Sequence, residues 1–204
     1  MSESKYEINR GDQVFVAIDV SGSMQGPSTV PGKSRIEIVK ERVLQFITDA
    51  SKIDPDGITL YTFGRQIKKY DNVGIEQAAG VIEGIAATEG VTHTHQVITQ
   101  MYADMSTLRA KGEVNNLLGF IITDGEPTGE SSEAQVADTL RSIANEQTDG
   151  EGVGFSFLQV GNDAAAAQFL KNLDDNLNAK FDIVDTKQFE DTSFVVAAEG
   201  AVLD

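Results

Sequence analysis

The 204-residue sequence predicts an α/β fold: a doubly wound, mostly parallel six-stranded sheet in the order 3-2-1-4-5-6, with one short antiparallel edge strand and helices on both faces. Three observations predict it. Short apolar runs bounded by turn residues alternate along the chain with segments of helical period. The runs are continuous, which belongs to parallel strands covered on both faces. Strands separated by helices pair through right-handed crossovers.

The elements follow in order. Residues 1–12 are polar and read as a flexible tail, which leaves 13–204 as one domain with no internal repeat or linker. VFVAID (14–19) is the first strand. Ile36, Val39, Val43, Phe46 and Ile47 form the stripe of a first helix, stopped by DPDG (54–57). ITLYTF (58–63) is the second strand, and GRQIKKYDNV (64–73) turns back from it as a hairpin and edge strand. Arg65, Lys68 and Lys69 there protect the edge from pairing with another chain.

GIEQAAGVIEGI (74–85) reads as a weak helix interrupted at Gly80, and a helix from about His95 carries Val97, Met101, Met105 and Leu108. NLLGFIIT (116–123) is the fourth strand, followed by a helix with Val136, Leu140 and Ile143. GFSFLQV (154–160) is the fifth, and Phe169, Leu170, Leu173 and Leu177 line the next helix, with Asp174-Asp175 on its solvated face. FDIV (181–184) is the sixth strand, and Lys187 to Ala201 form the last helix.

Composition narrows the partners. Apolar residues make up 40% and charged residues 24%, the balance of a soluble globular chain. Sixteen basic against thirty-two acidic residues give a formal charge of -16, which disfavours nucleic acid and anionic membrane surfaces, both polyanions. The chain has no cysteine, so disulfides and thiolate metal sites are excluded. The start lacks the apolar core of a signal peptide, and no run approaches the roughly 18 to 20 apolar residues of a membrane span. These features predict an intracellular, cytoplasmic protein, monomeric in isolation.

In an open sheet of this kind, ligands bind beyond the carboxyl ends of the strands, where strand order reverses. That point lies between the first and fourth strands, which run out at Asp19 and Asp124. Ser21 and Ser23 follow Asp19 at i+2 and i+4, a spacing that curls three side chains round one point. Thr92, in EGVTHTHQV, enters from the connection between the third and fourth strands, and Thr123 precedes Asp124 in IITDGEPTG. Hydroxyl and carboxylate oxygens without thiolates suit a hard divalent cation, Mg²⁺ or Mn²⁺ before Ca²⁺. With only two carboxylates the ion stays electrophilic, and a partner's carboxylate is a natural last ligand.

Asp-x-Ser-x-Ser at Asp19, Ser21 and Ser23, a threonine before a central helix and Asp124-Gly125 after the fourth strand together resemble a von Willebrand factor type A (VWA) domain. The resemblance runs from about Gln13 to the C-terminus. The stretch LQVGNDAAAAQFLKNLDDNL followed by FDIVDT is similar to intracellular bacterial and fungal members rather than integrin domains. It implies a Rossmann-like sheet and a metal-ion-dependent adhesion site that grips an acidic residue of a protein partner. Asp19, Ser21 and Ser23 would bind the metal directly, and Thr92 and Asp124 directly or through water. The family usually shows Gly-Gly-Thr where this chain has Gly90-Val91-Thr92-His93-Thr94, so Thr94 rivals Thr92. Thr92 follows Gly90 at the usual distance.

Plainer readings stand beside these. DVSGS and Asp124-Gly125 are also ordinary turn sequences. His93 and His95 are spaced to share zinc, but such a site needs further ligands; the alternative is a solvated loop near the metal, tuning it by titration. The loop 24–35 is either a connector or a specificity rim. A metal-dependent phosphohydrolase with Asp19 as nucleophile would need a second acid where Ser21 stands, and a basic clamp, while no Lys or Arg lies in the three site segments. A scaffold with a vestigial site is the third alternative.

Overall fold

A computed structural model describes residues 12–54, 56–112, 116–148 and 152–203. The predicted tail up to residue 11 and Pro55 of the DPDG stop lie outside the described residues. Strand β1 (Gln13–Asp19) lies between β2 (Ile58–Phe63) and β4 (Leu117–Thr123) and is parallel to both. Strand β3 (Ile67–Val73) returns antiparallel to β2 at one edge. Strands β5 (Val153–Gln159) and β6 (Val184–Gln188) continue in parallel to the other, in the order β3-β2-β1-β4-β5-β6.

Pleating explains the continuous apolar runs, because successive side chains point to opposite faces and both faces are covered. Val14, Val16 and Ile18 of β1 enter one core with helices α1 (Arg35–Ala50), α2 (Ile75–Gly84) and α6 (Phe194–Leu203). Phe15 and Ala17 enter the other, with α3 (Thr94–Ala110), α4 (Glu133–Glu146) and α5 (Ala164–Asn176). Phe46, Phe120 and Phe194 tie helix, sheet and last helix together, with ring centroids 5.1–5.3 Å apart. Ser34 and Glu37 form a capping box that fixes the start of α1. Asp163 caps α5 by accepting from the backbone N–H groups of Ala165 and Ala166.

Four expectations are corrected. Helix α2 runs unbroken through Gly80, where an added Cβ would meet open space, so the glycine costs propensity without a break. The sixth strand starts at Val184 rather than covering FDIV, and Lys187 and Gln188 belong to it. The last helix therefore starts at Phe194, after a short 3₁₀ turn over Phe189–Asp191. Asp174 is not merely a solvated decoration: its carboxylate accepts from the Thr186 backbone N–H (3.1 Å) and hydroxyl (2.8 Å), holding β6.

Candidate metal centre

The site begins where β1 stops. The backbone N–H of Ser21 donates to Asp19 Oδ1 at 2.7 Å, and Thr123 Oγ1 donates to Oδ2 at 2.7 Å. Both oxygens of this fully buried carboxylate are thus oriented by the ends of β1 and β4. A 3₁₀ turn over Gly22–Gln25 then curls the chain back. Ser21 Oγ and Ser23 Oγ lie 2.9 Å apart, and Ser23 Oγ donates to Asp124 Oδ1 at 2.9 Å. Asp19, Ser21, Ser23 and Asp124 therefore form one connected set of oxygens at the reversal of strand order.

Thr92 arrives through a separate backbone device. Glu89 N–H donates to Val20 O (3.2 Å), and Gly22 N–H donates to Glu89 O (2.5 Å), which lays the connection from α2 along the end of β1. Thr92 is buried and lines the same cleft as Ser21, Ser23 and Asp124. Its N–H donates to Thr128 Oγ1 (2.9 Å), and Thr128 N–H donates to Thr92 O (3.1 Å). Thr94 is the first residue of α3 and lies outside the cleft lining, with a buried hydroxyl that has no hydrogen-bond partner.

The two histidines are not in a solvated loop, which corrects that reading. His93 is buried, and its Nε2 accepts from the Glu130 backbone N–H at 3.3 Å. His95 Nδ1 lies 2.8 Å from Ser131 Oγ, and the same hydroxyl accepts from the His95 N–H at 3.1 Å. Together they pin Glu130 and Ser131 in the loop after Asp124. Burial lowers the affinity of His95 for a proton, with the His93 side chain adding to the effect. Among the described residues no three His, Cys, Asp or Glu side chains gather as a metal cluster, so zinc finds no further ligands there.

Sequence reasoning missed Arg35, as it missed Glu126, Thr128 and Asp163, which also line the cleft. Arg35 Nη1 donates to Asp124 Oδ2 at 2.5 Å and to the Ser23 carbonyl at 3.3 Å. The loop 24–35 makes this contact: Pro27 bridges to Ser34, and the Arg35 N–H donates to Gly26 O at 2.9 Å, returning the guanidinium beside Ser23. No local signal in the sequence pointed to it: an arginine in the first turn of a helix opposes the helix dipole, but that does not say where the side chain goes. The basic group that the three site segments lack is supplied from α1. The same loop is anchored at its far side, where Thr29 Oγ1 donates to Glu190 Oε1 at 3.1 Å.

The electrostatics favour a cation. Burial, reinforced by the charge of Asp124, pushes the Asp19 carboxyl up to about 7, while the Ser21 and Thr123 hydrogen bonds oppose the rise. Asp124 lines the cleft with Glu126 and Asp163, the buried Asp19 lies close enough to feel the charge of Asp124, and Arg35 supplies a positive charge. Two carboxylates with the hydroxyls of Ser21, Ser23 and Thr92 form a hard oxygen donor set with room for charge compensation, which fits Mg²⁺, Mn²⁺ or Ca²⁺.

The sequence matches no family model and no curated protein. Solved structures do match in shape. An aerotolerance-related membrane protein from Bacteroides fragilis aligns at TM-score 0.52 and 20% identity, over 74% of this chain and 68% of that one. The manganese-loaded TRAP protein of Plasmodium vivax aligns at TM-score 0.63 and 14% identity, over 89% and 70%. The PilB minor pilin of Streptococcus sanguinis aligns at TM-score 0.62 and 15% identity, over 91% of this chain and 59% of the pilin. At such identities the likeness is one of fold. Strand order, helix placement and these neighbours agree that the chain has a VWA-like fold.

Proposed function

We propose that this chain is a divalent-metal-dependent protein-binding module. In this reading Asp19, Ser21, Ser23, Thr92 and Asp124 hold Mg²⁺ or Mn²⁺, and the ion captures an Asp or Glu of a partner protein. The observation that carries it is the chain of hydrogen bonds from Thr123 through Asp19 and from Ser21 through Ser23 to Asp124, which gathers the donors where the sheet reverses. The bound ion supplies a Lewis-acidic position for a carboxylate. This chain's own residues fix the donors, exclude bulk water from Asp19 and keep the Asp124 loop in place through His93 and His95. The manganese-loaded neighbour supports the choice of ion, and the neighbour named as a minor pilin supports a protein partner.

We assign this role to residues 13–204 as a single cytoplasmic, monomeric domain that engages neither nucleic acid nor membrane, given its acidity. Among the described residues no helix is long and apolar enough to cross a membrane. A nucleophilic role for Asp19 is the weaker reading, because Ser21 stands where such an enzyme needs a second acid.

The test is a thermal melt in EDTA and then in millimolar Mg²⁺, Mn²⁺ or Ca²⁺, for wild type and Asp19→Asn. The asparagine keeps an acceptor for Ser21 and removes the charge. An ion at a hundred times its dissociation constant adds about 2.7 kcal/mol to the folded state, a shift of several degrees. We expect that rise in wild type and none in Asp19→Asn. Equal melts in all conditions for both proteins would sink the reading.

A further inference from the structure

Among the described residues Arg35 is the one basic side chain that touches a predicted donor, and its setting is built rather than incidental. Its side chain is 15% exposed and that of Asp124 only 1%, so the pair lies largely out of water. Gly26 and Gly161 make room for it: a Cβ at Gly161 would lie 2.7 Å from Arg35 Nε, and one at Gly26 would lie 3.4 Å from Nη1. Gly161 also has φ +86°, a conformation that glycine adopts without strain. Its carbonyl and N–H are fixed by Gln188 and Glu190 from β6 and the turn after it. Arg35 Nε is buried and has no hydrogen-bond partner, so the guanidinium holds an unused donor. Arg35 lines the cleft together with Ser21, Ser23, Thr92 and Asp124.

The two oxygens of Asp124 are divided. Oδ1 faces Ser23 and the donor set, and Oδ2 faces Arg35. A divalent ion taken up through Oδ1 would stand across one carboxylate from a fixed guanidinium. In a partly dry cleft, like charges so placed repel one another more strongly than in water. An anion reaching both cations cancels that repulsion.

We propose that Arg35 is a resident counter-cation of Asp124 that weakens binding of the metal alone and couples it to binding of a carboxylate, so that ion and acidic ligand enter together. This deepens the proposed function and rests on it. The coupling is reciprocal, as any linkage between two ligands is: the carboxylate tightens the ion by the factor that the ion tightens the carboxylate.

The test uses the full chain and Mn²⁺ as probe, with binding followed by the loss of free Mn²⁺ signal in electron paramagnetic resonance, with and without sodium acetate. Wild type is compared with Arg35→Gln and with Arg35→Lys, which keeps the charge. We expect Arg35→Gln to bind Mn²⁺ alone about tenfold more tightly, equivalent to about 1.4 kcal/mol. Arg35→Lys should stay near wild type. Acetate should tighten Mn²⁺ binding in all three proteins, and by a larger factor in wild type and Arg35→Lys than in Arg35→Gln. In EDTA, Arg35→Gln should melt below wild type, because Asp124 loses its partner, and it should gain more from Mn²⁺. Equal or weaker Mn²⁺ binding by Arg35→Gln, with wild type binding normally, would overturn this proposal alone. Absence of Mn²⁺ binding in all three proteins would overturn the metal-site reading and this proposal with it.

Discussion

Asp54 shows how a single buried carboxylate makes stability depend on pH. It is 1% exposed, accepts from the Val14 N–H at 2.9 Å and from the Gln13 side chain at 3.4 Å, and burial moves its carboxyl from 3.8 to about 6, with the charge of Asp56 adding to the rise. A folded-state value above the unfolded one means that the native protein holds its proton longer. Stability from this group is therefore full below 3.8 and falls as pH rises toward about 6. Asp54→Asn keeps an acceptor for Val14 and removes the cost of the buried charge. Its melting temperature should exceed that of wild type above pH 6, and the gain should vanish below pH 4, as a series of melts across that range would show. Asp19 follows the same sign over a wider window, from 3.8 to about 7, and a bound cation would remove the dependence by stabilising the ionised form. At this scale the sequence was legible for Asp19, Ser21, Ser23 and Asp124, whose spacing and strand-end positions bring them together. It was not legible for His93 and Arg35, since nothing local says that one is buried against Glu130 or that the other crosses to Asp124.

The elements owe their identity to local period and their ends to contacts from elsewhere. β4 and β5 are buried at every position and follow their apolar runs closely. β6 does not, because its polar DTKQ segment pairs with β5 from Ser156 to Gln159 and is held by Asp174 of α5. Its register is an agreement between distant segments. α6 depends on a similar meeting, since a Cβ at Gly154 would stand 1.8 Å from the Ala201 carbonyl oxygen. Only glycine lets the last helix come this close to β5. Gly154→Ala must displace backbone rather than a flexible side chain, so we expect a loss at the upper end of the roughly 1–3 kcal/mol typical of overpacking. Denaturant titration would measure it. Proteolysis should also cut near α6 sooner in the variant, and an unchanged midpoint and cleavage pattern would show that α6 packs elsewhere.

For the molecule as a whole, a formal charge of -16 on 204 residues places self-repulsion on the folded state. Screening acts over about 10 Å at 0.1 M salt, shorter than the width of the domain. Melting temperature in EDTA should therefore rise as NaCl is raised from low to physiological concentration, and the rise should be smaller once a divalent ion is bound. A flat or falling salt dependence would mean that local ion pairs, such as Lys69 with Asp71 and Asp104, outweigh the net field. The sequence by itself determined the α/β class, the strand order and the point of reversal, because hydrophobic period, turn chemistry and crossover handedness are carried by short stretches of chain. It also placed Asp19, Ser21, Ser23 and Asp124 near that point, while leaving Thr92 and Thr94 as rivals. Only the tertiary structure decided that a loop returns Arg35 to Asp124, that His93 is buried and that β6 begins at Val184, because each depends on groups tens of residues apart meeting in a low-dielectric interior where one hydrogen bond or charge outweighs local preference.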